Sequence, residues 1–231
     1  MMAERPIAVI TGASRGIGRC ISMRLAGEYD IVAVARSRDG LAEVARAIES
    51  AGGRCRPVPL DITDADAVAE ALGGVDAQVL INNAGVATIK PMLELTLDEW
   101  RRMVEVNVNA LFYMTRAVLP AMLARHAGFI VTIGSLAGRS SFAGGTCYTA
   151  TKHAVIGFME SLMLEVRDAG VRVSVVMPGS VATGFSGRSG DASWKLTPEE
   201  IADAVASVID TPPNMLISRL EVRPAVTGSR R

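Results

Sequence analysis

The sequence predicts an α/β fold: one Rossmann-type, doubly wound domain over residues 1–231, with about seven parallel strands and helices on both faces. Three observations carry this expectation. Short runs rich in valine and isoleucine recur at Ile7–Ile10, Ile31–Ala35, Val58–Leu60, Val79–Ile81, Phe129–Ile133, Val171–Met177 and Leu216–Val222. Between them lie segments with helical spacing of apolar residues: about Gly16–Tyr29, Leu41–Ala51, Asp64–Leu72, Leu97–Arg125, Cys147–Ala169 and Pro198–Asp210. The strand runs are apolar on both faces, as strands of a parallel sheet covered on both sides must be. No linker, internal repeat or low-complexity tract interrupts the alternation.

The first strand runs directly into Thr11-Gly12-Ala13-Ser14-Arg15-Gly16-Ile17-Gly18, which opens the first helix. Gly12 can take a tight turn, Gly16 lets the backbone approach a phosphate, and Gly18 lets helix and strand pack closely. The GxxxGxG spacing differs from the common GxGxxG fingerprint. Its place at the first strand–helix junction nevertheless aims backbone amides and the helix dipole at a pyrophosphate, with Ser14, Arg15 and Ile17 completing the loop.

The second strand ends Val34-Ala35-Arg36-Ser37-Arg38, with no acid where a ribose 2′-hydroxyl is usually bound. Arg36, with Arg15 and Ser37, offers a guanidinium fork and donors for a 2′-phosphate. The expected cofactor is NADP(H) rather than NAD(H). Further along, Asp64 after Thr63, and Thr197-Pro198-Glu199-Glu200, read as helix starts with a capping side chain and acids at the positive dipole end. Leu97–Arg125 and Ala154–Val166 are apolar over more than one stripe, which fits either central helices of one large core or faces that pack against symmetry mates. A homodimer or homotetramer is expected. Gly184–Leu196, with Phe185 and Trp194 as its bulky apolar groups, reads as a small mobile lid, and residues 225–231 as a basic tail.

Composition narrows the classes of function. Of 231 residues 49% are hydrophobic and 21% charged, and 24 basic residues balance 24 acidic ones, so nothing suggests a nucleic-acid or membrane partner. Cys20, Cys55 and Cys147 are odd in number and far apart, which argues against a disulfide framework or zinc site and for a reducing, cytoplasmic setting. His126 and His153 have no carboxylate cluster beside them, and no metal is expected. The N-terminus is unlike a secretory signal, and the longest charge-free stretch, Val173–Gly187, is too short to span a membrane.

Three spaced motifs then occur in order: TGASRGIG, Asn82-Asn83-Ala84-Gly85 after the fourth strand, and Tyr148-Thr149-Ala150-Thr151-Lys152 opening a helix. With Ser135 thirteen residues before Tyr148 and Pro178-Gly179 after the sixth strand, the chain resembles the short-chain dehydrogenase/reductase family from about Ile7 to Val222. The residues independently support carbonyl or alcohol chemistry. Tyr148 and Lys152, at i and i+4, share one helix face. A phenol with pKa near 10 needs about 3–4 kcal/mol of differential stabilisation to exchange protons at neutral pH, which a nearby Lys152 ammonium and an oxidised nicotinamide could provide. Ser135, at the end of the fifth strand, lies where open α/β sheets place their ligands and can bond the same substrate oxygen.

The resemblance implies more. Asn107 would complete the catalytic set by holding a water next to Lys152, with Asn109 a weaker competitor. Asp61 and Ile62 would contact adenine, and Asn83, Ala84 and Gly85 would lie beside the adenosine ribose. Pro178, Gly179, Val181 and Thr183 would flank the nicotinamide, joined by Tyr148 and Lys152. Cys147 reads as a small buried hydrophobe and His153 as a packing or interface residue. Family members that reduce acyl-carrier thioesters often end in a VDGG-type tail; this chain ends Glu221-Val222-Arg223-Pro224 and a basic tail, which disfavours that substrate. An NADP(H)-dependent reductase of small aldehydes, ketones or hydroxy acids is therefore expected. The alternatives are an NAD-dependent alcohol dehydrogenase, a 3-oxoacyl-thioester reductase and a non-catalytic NADP-binding regulator.

Overall fold

The structure, a computed structural model, describes residues 5–186 and 193–226. Strands β1 (Ile7–Thr11), β2 (Asp30–Ala35), β3 (Cys55–Pro59), β4 (Ala77–Asn82), β5 (Gly128–Ile133), β6 (Val171–Pro178) and β7 (Arg219–Val222) form one sheet. Their order is β3-β2-β1-β4-β5-β6-β7, and every pairing is parallel. The helices are α1 (Gly16–Leu25), α2 (Arg38–Ser50), α3 (Ala65–Leu72), α4 (Leu97–Val104), α5 (Ala110–Arg125), α6 (Thr146–Val166) and α7 (Pro198–Ile209).

Alternate side chains of each strand point to opposite faces, so the all-apolar strands feed two cores. Ala8 and Ile10 of β1 join Ile21 of α1, Leu41 and Ile48 of α2 and Val205 of α7 on one face. Val9 joins Val68 of α3, Met114 and Val118 of α5 and Met159 of α6 on the other. From β1 the chain winds outward through β2 and β3, then returns to β4 and winds the opposite way. This reversal opens a crevice above the carboxyl ends of β1 and β4, where ligands of open α/β sheets bind.

The expected caps form. Asp64 accepts a hydrogen bond from Ala67 N at 3.0 Å, and Thr197 and Glu200 make a reciprocal capping box. Ser37 caps α2, accepting from Gly40 N at 3.2 Å.

Four expected boundaries are corrected. The third strand begins at Cys55 rather than Val58: as an edge strand it pairs only with β2, so Pro57 and Pro59 need donate nothing outward. The seventh strand begins at Arg219 rather than Leu216; Leu216 and Ile217 still pack on the core, but off the ladder. The first helix ends at Leu25, not Tyr29. The segment Leu97–Arg125 is interrupted by a π-helical turn at Glu105–Asn109, which separates α4 from α5.

Candidate active site

The loop between β1 and α1 is drawn tightly onto the end of β4. Thr11 Oγ1 accepts from the backbone N–H groups of Asn83 and Ala84, both at 3.0 Å, and Asn83 Nδ2 donates to Thr11 O at 2.9 Å. Gly12 and Gly16 have φ of +65° and +54°. A methyl group on Gly18 would lie 2.3 Å from the Gly12 carbonyl oxygen, whereas one on Gly16 would meet, among the described residues, only the Thr183 methyl, at 3.6 Å. The loop is thus packed behind and open in front. The first turn of α1 has no acidic residue, and Arg15 at its N-cap makes no side-chain capping bond, so its amides face the crevice without an internal anion. This cradle fits a dinucleotide's diphosphate.

Arg15, Arg36 and Ser37 are partly or fully solvent-facing at the edge of the same crevice. Asp61 sits opposite Arg36. Burial acts to raise the Asp61 carboxyl, but hydrogen bonds from Thr63 and the charges of Arg36 and Arg102 outweigh it and hold the group below the usual carboxylate range. Ile62 lines the inner wall with Ala84. At the far end, Gly179 N donates to Val222 O at 2.8 Å, placing Pro178 and Gly179 where β6 leaves the sheet. Val181 forms a bridge with Leu196, and Thr183 lies over Gly16. Of the expected lid, residues 187–192 lie outside the described residues, as do residues 227–231 of the basic tail.

Beneath these groups lies the polar cluster. Tyr148 and Lys152 project from the first turns of α6, and Ser135 follows the end of β5. The Ser135 hydroxyl acts on the Tyr148 phenol, lowering its pKa, and accepts from Ala137 N at 3.1 Å. Lys152 is buried, its Nζ donating to Ile133 O at 3.1 Å and standing 5.9 Å from the centre of the Tyr148 ring. Burial lowers the Lys152 pKa from 10.5 to about 8.

In the protein alone, Lys152 is not among the influences on the Tyr148 pKa. Burial pushes the phenol up, and the opposing influence is the Ser135 hydrogen bond. Lys152 is directed at a carbonyl rather than the phenol oxygen, and burial drives it toward its neutral form.

Asn107 lies within the π turn and is buried. It pairs with Val86 as a strand residue would, accepting from Val86 N and donating to Val86 O, both at 2.9 Å, and it also donates to Thr151 Oγ1 at 3.1 Å. Its competitor Asn109 faces elsewhere, bonding Glu105 at 2.6 Å. Between Asn107 and Lys152 is a cavity of about 20 Å³, room for one water, with Thr11, Asn82 and Thr132 also in its wall. The buried Asn82 Oδ1 makes no hydrogen bond within the protein.

Cys147 is buried with its thiol pushed up, and His153 is exposed with Nδ1 at 2.9 Å from Thr149 O; neither faces the cluster's hydrogen bonds. Among the described residues no group of His, Cys, Asp or Glu gathers to hold a metal, and no helix is long and apolar enough to cross a membrane. Sequence reasoning missed Thr11, Val86, Thr151 and the Ile133 carbonyl. Each acts through backbone or one hydroxyl on a partner distant in sequence, which leaves no local signal.

The model of the short chain dehydrogenase family matches residues 6–193. The NADP-dependent 3-hydroxy acid dehydrogenase YdfG of Escherichia coli K12 is 34% identical over 94% of this chain and 94% of its own length. A metagenomic short-chain oxidoreductase solved with NADP superimposes with a TM-score of 0.86 at 37% identity, covering 96% of this chain and 99% of that one. An alcohol dehydrogenase of the archaeon Thermococcus sibiricus, complexed with 5-hydroxy-NADP, gives 0.90 at 30% identity, covering 97% and 98%. With its glycine loop, its Ser135–Tyr148–Lys152 cluster and these relatives, the chain belongs to the short-chain dehydrogenase/reductase family.

Proposed function

We propose that the chain is an NADP(H)-dependent oxidoreductase that interconverts a small carbonyl compound and its alcohol, with Tyr148 as the general acid and base. The observation that carries this reading is the grouping of Ser135 and Tyr148 with the buried Lys152, whose Nζ stands 5.9 Å from the Tyr148 ring, near the open glycine loop. A 3-hydroxy acid dehydrogenase and NADP-bound oxidoreductases among its relatives support the substrate class and cofactor.

NADPH, when bound, supplies the hydride. Gly12, Ser14, Arg15, Gly16, Ile17 and Gly18 would hold its diphosphate, and Arg15, Arg36 and Ser37 its 2′-phosphate. Asp61 and Ile62 would take the adenine, Asn83, Ala84 and Gly85 the adenosine ribose, and Pro178, Gly179, Val181 and Thr183 the nicotinamide end.

In this reading the Ser135 and Tyr148 hydroxyls together bind and orient the carbonyl oxygen. The phenol, which burial pushes above its usual range, is protonated at neutral pH, so Tyr148 can donate a proton to that oxygen as it gains charge. Lys152, near pKa 8, can restore the proton through a water held in the cavity it shares with Asn107, Asn82 and Thr132. Asn107 is a positioning residue, fixing the loop at Val86. The same reading takes the whole chain as one catalytic unit, in a homodimer or homotetramer, in the cytoplasm. The three free cysteines and the absence of a spanning helix among the described residues support the last point.

The test is NADPH oxidation by the purified protein across aldehydes, ketones, diketones, keto acids and acetoacetyl thioesters, with Tyr148→Phe alongside. Loss of about 10²–10⁴-fold in kcat/KM is expected from removing the acid. Unchanged turnover in the Phe variant refutes the assigned proton donor.

A further inference from the structure

Ser135 and Arg139 stand at the two ends of one 3-10 turn, Leu136–Gly138. The turn is tight: Gly138 N donates to Ser135 O and Arg139 N to Leu136 O, both at 2.9 Å, and Ser135 Oγ accepts from Ala137 N at 3.1 Å. It is also pressed against α6, where a methyl group on Gly138 would lie 2.6 Å from Lys152 O and 2.5 Å from Ile156 Cδ1. A turn so short and so closely packed moves as a unit, so a displacement at Arg139 reaches Ser135.

What holds Arg139 comes from the last strand. Leu220 and Val222 of β7 pack on the core that contains α1 and α7, so alternation turns Glu221, between them, to the opposite face, where α6 and Leu136 pack. There Glu221 Oε1 accepts from Arg139 Nη1 at 2.6 Å, and Oε2 accepts from Arg223 Nη2 at 2.9 Å. The bonds from Arg223 and Arg139 hold the carboxyl below its usual range. A methyl group on Gly179 would lie 3.1 Å from Pro224 Cδ and 3.2 Å from Leu136 Cδ1, so the chain leaving β7 and the turn flank the same glycine.

We infer that Glu221 is a positioning residue for Ser135: by clamping Arg139 it fixes the turn at whose other end the Ser135 hydroxyl is held, and so makes strand β7 part of the proposed active site. This rests on the oxidoreductase reading above, in which Ser135 orients the carbonyl oxygen. The clamp matters little for stability, because ion pairs with partners as exposed as Arg139 and Arg223 contribute little to it. Misplacing an orienting group by about 1 Å, by contrast, costs on the order of 100-fold in rate.

The test uses the full-length chain with NADPH and butane-2,3-dione, comparing wild type with Glu221→Gln, Arg139→Gln and Arg139→Lys, each also in a Ser135→Ala background. In both Gln variants kcat should fall at least about tenfold, with NADPH affinity within about twofold and Tm within about 5 °C of wild type. Arg139→Lys keeps the charge and should retain about half of kcat or more. Because the clamp acts through Ser135, neither Gln variant should change kcat by more than about twofold once Ser135 is alanine. A smaller fall in kcat, an equal fall in both backgrounds or a larger loss of Tm overturns the inference.

Amide hydrogen exchange at Ala137, whose N–H is bonded to Ser135 Oγ, reads the placement of the serine without turnover. Exchange there should be at least about tenfold faster in Glu221→Gln, while the amides of β1 keep their wild-type rates. If wild type reduces neither the dione nor any other compound of the carbonyl panel, the reductase reading fails and exchange at Ala137 alone decides the clamp. Acceleration of about tenfold then upholds it, and anything less overturns it.

Discussion

Lys152 shows how far the site departs from what stability alone would select. Its ammonium is buried against the Ile133 carbonyl with no carboxylate among the influences on its pKa, which falls from 10.5 to about 8. A lysine whose folded pKa is depressed destabilises the fold while the unfolded chain holds the proton more tightly. The penalty, roughly 3 kcal/mol at pH 7, fades as pH rises through 8 toward 10.5. Lys152→Met should therefore raise Tm at pH 7 by about 5–10 °C while turnover is lost, and the gain should shrink by pH 10. Thermal unfolding at the two pH values checks this; an equal gain at both would rule out the charge as its cause.

Arg36 makes the complementary case at the crevice edge. Its charge helps hold Asp61 ionised, and it is the residue proposed to read the 2′-phosphate. Arg36→Asp removes a charge-assisted donor and sets two carboxylates together. Preference for NADPH over NADH should drop by about 10–100-fold, read by fluorescence titration with both cofactors. Equal preference in wild type and variant would show that Arg36 does not read the 2′-phosphate.

The π turn at Glu105–Asn109 explains why Asn107 faces inward from what otherwise reads as one long helix. One wider turn rotates the amide toward Val86, where it satisfies both backbone groups, and toward Thr151 on α6. Asn107→Leu strands these partners at a part-buried junction. It should lower stability by about 2–4 kcal/mol in urea unfolding as well as reducing kcat; a loss under about 0.5 kcal/mol would show the junction rewires around it.

Such a turn adds no residue type that a pattern can detect, so the apolar spacing of Leu97–Arg125 predicts an unbroken helix. The start of the third strand, expected at Val58, was hidden for a different reason. Pro57 and Pro59 look like strand breakers until the sheet order places them on an edge. By contrast, the caps at Asp64 and Thr197 were legible, because each bonds within three residues of itself.

At the scale of the molecule, two helices covering the same face of the sheet carry exposed bulky side chains, Phe112 of α5 at 45% and Leu164 of α6 at 60%. Burying each is worth about 1.5–3 kcal/mol, which favours pairing of this surface with a second copy. Sedimentation at micromolar concentration should show a dimer or tetramer, and Leu164→Glu should shift it toward monomer. A wild-type monomer would overturn the oligomer.

Alternation of apolar strands with amphipathic helices, together with a glycine loop at the first junction, determined the parallel doubly wound sheet. Local spacing determined that Tyr148 and Lys152 share a helix face. These features are legible because they depend on neighbours within a turn or a strand. The tertiary structure decided what depends on groups far apart in sequence: that Lys152 reaches Ile133, that Asn107 pairs with Val86, that the Phe185 ring lies 6.2 Å from that of Tyr148, and that burial pushes the phenol up. Burial and long-range hydrogen bonds set those properties, and both exist only once the sheet has brought its strand ends together.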